Sequence, residues 1–177
     1  VLAAHLPMRI LKIPQMPLTK SHILQPGSLL MCKGLVCHNS SQSAMVKPTR
    51  FVILHCGLGQ PTSDRQLLVH ACKEAELKRT LAYDGCQIRQ FMHTLARKQV
   101  NLVISTEELP DPAAECCAEL GMLAVQCAEL DDTLALGMQG ATAPLTFAGN
   151  GLHADIGRAD LAQELWIGGK AHVVIEG

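Results

Sequence analysis

The stretch QVNLVISTEELPDPAAECCAELGMLAV, residues 99–125, decides the fold. Val100 to Ser105 is an apolar, β-branched run of the kind found in strands covered on both faces, and Gly121 to Val125 is a second such run. Between them Asp111-Pro112 opens a short helix to Leu120, with Asp111 expected as N-cap and Pro112 as the first helical residue. Strand, short helix and strand joined by brief links define an α/β unit with parallel strands and right-handed crossovers.

Working outward, Phe51 to Cys56 is another run without alternation and is expected at the centre of the same sheet. Two helices are expected before residue 99. One runs from Arg65 to Thr80, and the other follows Tyr83-Asp84-Gly85 with Ile88, Phe91, Met92 and Leu95 as a core stripe at helical spacing. Glu129 to Gln139 reads as a further helix, ended by Gly140. Ala159 to Leu165 leads through a Gly168-Gly169 turn into a strand from Ala171 to Glu176. Toward the start, Leu29–Cys32 and Leu35–Cys37 are strand material, Asn39 to Ser43 is a polar loop, and Pro7, Pro14 and Pro17 mark an extended lead-in over residues 1–25.

The chain has 177 residues, 48% hydrophobic and 18% charged, enough for one domain with a real core. A formal charge of -1 with 3% aromatics argues against nucleic acid, which needs basic surplus and stacking platforms. No apolar run is long enough to span a membrane, and these 177 residues show no basic-then-apolar start of a secretory signal, which leaves a removed one open. A first residue of Val1 and an end inside a strand lead us to expect a piece of a longer protein. The eight cysteines sit mostly in apolar or helical segments, which favours free thiols in a reducing compartment. Cys32, Cys37, His38, His55 and Cys56 form the one weak zinc pattern.

Chemistry-bearing motifs are sparse. There is no nucleophile elbow, and Gly57-Leu58-Gly59 lacks the residues of a phosphate loop. Cys116 and Cys117 lie a turn inside their helix with Glu115 and Glu119 opposing thiolate formation, so a small cysteine enzyme is only a third reading. Glu107, Glu108, Asp111, Glu115, Glu119, Asp131 and Asp132 read as a solvated acidic rim rather than a metal site. His70 and His93 read as helix-flank residues.

Four segments in order resemble the apical domain of the group II chaperonins. They are Ser21 to Leu30, Pro48 to Leu58, Gln99 to Val125, and Gly157-Arg158-Ala159-Asp160-Leu161 with Glu164, Ile167-Gly168 and Glu176-Gly177. The resemblance implies one apical domain over residues 1–177, a layered α/β sheet flanked by helices, and a helical protrusion over residues 59–79. It implies that the helix from Asp111 to Leu120, with a nearby loop, holds unfolded polypeptide. Helical geometry turns Ala113, Cys117 and Leu120 toward the sheet and Asp111, Ala114, Glu115, Ala118 and Glu119 outward, as the client contacts.

The sequence departs from the family at Thr106-Glu107 and Gln126-Cys127, where the family carries Gln-Lys and basic residues, and at His55, where it carries Asp. The implied client preference moves away from acidic proteins. ATP and Mg belong to the family's equatorial domain, whose Gly-Asp-Gly-Thr motif is absent here, so these residues are expected neither to bind nor to hydrolyse nucleotide. The cysteine content, residues 56–64 and residues 136–145 resemble the McKusick-Kaufman and Bardet-Biedl chaperonin-like proteins. That implies client proteins and other chaperonin subunits as partners, a cytoplasmic or basal-body location, and a part in assembling a ciliary complex. The alternative is the chaperonin-like scaffolding domain of a large phosphoinositide kinase.

Overall fold

The computed structural model describes residues 27–36, 45–55, 58, 74–140, 142 and 155–177. The strands are β1 (Leu29–Met31), β2 (Met45–Val46), β3 (Thr49–Leu54), β4 (Leu102–Ser105), β5 (Leu123–Val125), β6 (Gly157–Ala159), β7 (Leu161–Ile167) and β8 (Lys170–Glu176). The helices are α1 (Glu74–Arg97), α2 (Asp111–Leu120) and α3 (Leu130–Gln139).

These strands form two sheets rather than one. The first has the order β5-β4-β3-β6, with β3, β4 and β5 parallel and β6 antiparallel to β3. The second is antiparallel throughout, in the order β1-β8-β7-β2. The expected run from Ala159 to Leu165 is split at Asp160, where the chain leaves the first sheet and enters the second. The Asp160 N–H donates to the Glu176 carbonyl at 2.7 Å and secures that change of sheet.

Strand β3 explains why its sequence lacks alternation. Val52 and Leu54 enter one core with Ile88, Phe91, Met92 and Leu95 of α1 and Ala113, Cys116 and Cys117 of α2. Phe51 and Ile53 enter a second core with Met31, Ala162, Val173 and Ile175 of the antiparallel sheet and Leu136 of α3. Both faces of the parallel sheet are therefore covered, one by helices and the other mainly by the second sheet. The β5 edge is covered as well, because Leu35 bridges Val125 and the Val36 N–H donates to the Ala124 carbonyl at 2.9 Å.

Two expectations change. The helix around Ile88 and Leu95 runs unbroken from Glu74 through Gly85, because a single glycine costs a helix interior only about 1 kcal/mol and packing overrides it. The N-cap of α2 is Pro110, in extended conformation and without a side-chain cap bond, so Asp111 is the first helical residue and Pro112 the second. Cys116 is fully buried beside Cys117 and Ala113. The lead-in over residues 1–25, the loop over 39–43 and residues 59–73 of the expected protrusion lie outside the described residues, whereas 74–79 form the first turns of α1.

Candidate functional site

Both α2 and α3 start at the ends of parallel strands, which brings their N-termini to the same edge of the sheet. Backbone and side-chain hydrogen bonds join the two lead-in loops. The Cys127 N–H donates to the Glu107 carbonyl at 3.3 Å, the Ala128 N–H donates to the Ser105 carbonyl at 2.9 Å, and Gln126 Oε1 accepts from the Leu109 N–H at 3.3 Å. The Glu107 backbone carbonyl and the Gln126 side chain thus hold this edge together.

On α2 the outward residues are those expected from helical geometry. Asp111, Glu115, Ala118 and Glu119 are exposed and Ala114 is half-buried, whereas Leu120 packs partly against the helical core. Gly121 closes the helix in the left-handed conformation at φ 66°, with its N–H on the Ala118 carbonyl. Arg89 of α1 reaches Glu115 at 2.8 Å, an exposed ion pair that partly neutralises one carboxylate of the face. The outward face of α2 thus consists of the small side chains Ala114 and Ala118 beside the carboxylates Asp111, Glu115 and Glu119.

Burial pushes the Cys116 thiol up from its ordinary value, and Glu119 and Glu115 push the same way against the opposing Arg89. The Cys32 thiol is likewise raised, chiefly by burial, with Asp132 and Glu129 adding to it. Among the described residues, no three His, Cys, Asp or Glu side chains are grouped to hold a metal ion. Cys37, His38 and Cys56 of the zinc pattern lie outside them.

The distribution of charge along the chain is uneven. Between Lys98 and Arg158 there is no Lys or Arg, while Glu107, Glu108, Asp111, Glu115, Glu119, Glu129, Asp131, Asp132 and Asp155 fall in that span. These are nine of the 16 carboxylates, so the rest of the chain carries all 15 Lys and Arg against seven carboxylates. A near-neutral total hides charge that is segregated along the chain.

No protein-family model and no curated protein matches this sequence. Among solved structures, the chain is similar to the open-state monomer of a group II chaperonin from Methanococcoides burtonii, with a TM-score of 0.59 and 15% identity. That likeness covers 84% of this chain and 30% of the other, so the chain spans less than a third of that protein's length. The fold is therefore chaperonin-like. Among the described residues, no helix is long and apolar enough to cross a membrane.

Proposed function

We propose that this chain is the polypeptide-binding domain of a chaperonin-like protein, with Asp111, Ala114, Glu115, Ala118 and Glu119 of α2 as the contact surface. The observation that carries the reading is α2 itself, which presents small and acidic side chains outward on a chaperonin-like scaffold. Such a face holds extended or partly folded segments of neutral or basic character by backbone contact and charge, and repels acidic ones. ATP and Mg act on parts of the protein other than these residues. Other chaperonin-like subunits and cytoplasmic clients, those of a basal-body assembly among them, are the partners this reading implies.

The test is light scattering of a chemically denatured basic client diluted into buffer with or without the chain. Suppressed aggregation is expected, together with loss of the preference for basic over acidic clients when Glu119→Lys and Asp111→Lys are combined. Failure to retard aggregation of any denatured protein would overturn the reading.

A further inference from the structure

Two arginines meet at the start of the parallel sheet. Arg50 of β3, half-buried, and Arg158 of β6, exposed, are directly opposite in register. Cross-strand partners share a face, and Arg50 stands two residues before Val52, which packs with α1 and α2, so both side chains leave the sheet on its helical side. Ile156, two residues before Arg158, packs partly against that same core and agrees with this. Asp155 and Asp160 flank β6 in sequence, yet among the described residues no carboxylate forms an ion pair with either arginine.

Arg50 is fixed at both its backbone and its side chain. Asn101 Oδ1 accepts from the Arg50 N–H at 2.7 Å, the Asn101 N–H donates to the Arg50 carbonyl at 2.9 Å, and Gln99 Oε1 accepts from Arg50 Nη1 at 2.9 Å. Gln99 ends α1, its N–H donating to the Ala96 carbonyl at 2.8 Å, and it sits in the left-handed region at φ 61°, where glycine or asparagine is the usual residue. A glutamine there is strained, and its side chain is what orients Arg50. The Arg50 Nε–H, by contrast, is buried without an acceptor. A charged donor left unpaired out of water is costly, and so are like charges directly opposed across two strands. One anion between the arginines relieves both costs. A dianionic phosphoryl group matches best, because it balances two positive charges and has oxygens for both guanidiniums, whereas a carboxylate leaves one charge over.

We infer that Arg50 and Arg158 form a receptor for a dianionic phosphoryl group, with Gln99 as the residue that positions Arg50. Two sources share that chemistry, a free phosphate ion and the phosphorylated side chain of a partner protein. The receptor lies at the N-terminal ends of β3 and β4, the opposite edge of the sheet from the starts of α2 and α3, and is separate from the face of α2 proposed to hold clients. The inference does not depend on that role.

The experiment follows the Arg50 Nε–Hε resonance of the isotope-labelled 177-residue chain by nuclear magnetic resonance while inorganic phosphate is added at neutral pH, with chloride at matched ionic strength as the control. Its absence from the spectrum of Arg50→Lys assigns the resonance. A saturable shift with phosphate and none with chloride is expected. Arg158→Gln, a change at an exposed side chain, should weaken phosphate binding about tenfold through the loss of one charge-assisted contact. Gln99→Gly removes the strain at φ 61° together with the Oε1 acceptor, so phosphate binding should weaken about three- to fivefold while the melting temperature holds or rises. Unchanged affinity in Gln99→Gly would overturn the positioning role. N-acetylphosphoserine amide is titrated in parallel, and whichever of the two phosphates binds more tightly identifies the source. Acetate binding as tightly as phosphate, the same shift with chloride, or full affinity in Arg158→Gln would each overturn the inference. None of these outcomes bears on suppression of client aggregation, which is read separately.

Discussion

Phe51 is fully buried, and two glycines far apart in sequence approach its ring. A methyl group added at Gly157 or Gly140 would land on that ring. Gly85, by contrast, lies in the middle of α1 with only Pro112 Cγ near, at 3.8 Å from where a Cβ would sit. The same chemical change should therefore have opposite signs. Gly157→Ala is expected to destabilise by about 1–3 kcal/mol through overpacking, and Gly85→Ala to stabilise by about 0.5–1 kcal/mol through the unfolded chain. Urea midpoints measured on both variants decide this.

Thiol accessibility tests the residue scale in another way. Cys116 and Cys117 are fully buried, whereas Cys32, Cys86 and Cys127 are exposed. Iodoacetamide should modify these three exposed cysteines in the folded protein and spare the buried pair until denaturant is added. The Cys116 thiol is raised in the folded state above its ordinary value of 9.0, so the unfolded chain loses that proton first as pH rises. Its contribution to stability is thus fully present below the unfolded value and is lost as pH climbs through the folded one. Unfolding midpoints that rise with pH in this alkaline range would contradict the burial.

Among the elements, the β3-β6 pairing carries a local conflict. Arg50 and Arg158 lie directly opposite in register, and Arg50 directs its Nη1 to Gln99 Oε1 at 2.9 Å, away from its neighbour. The buried Arg50 Nε has no hydrogen-bond partner. Like charges directly opposed across antiparallel strands destabilise, so Arg158→Glu should raise stability by about 0.2–1 kcal/mol. The gain should shrink at high salt, and thermal melts at two ionic strengths read it. Other elements were legible without coordinates. Helix α2 has its expected bounds because Pro112 and Gly121 punctuate it, and the Ile88-to-Leu95 stripe faces the core as its period requires. The continuity of α1 through Gly85 was not legible, because a lone glycine breaks or merely weakens a helix according to what packs on either side.

At the scale of the whole molecule, β3 belongs to both cores, which ties the helical layer to the antiparallel sheet. Amides in the β3-β4 and β7-β8 ladders should therefore exchange hydrogen through the same global opening, with equal free energies. A lower value confined to β7-β8 would mean that the second sheet opens by itself.

What the sequence determined by itself was the α/β class, the three parallel strands, the bounds of α2 and the outward set Asp111, Ala114, Glu115, Ala118 and Glu119. Each follows from local periodicity, β-branched runs or turn residues, which act over a few neighbours. Only the tertiary structure decided the rest. It split the strands into two sheets at Asp160, set Arg89 against Glu115, and left Leu130, Leu134 and Met138 facing outward. Sequence pattern says that a side chain is apolar and on which helical face it lies, but whether that face is covered depends on elements distant in the chain.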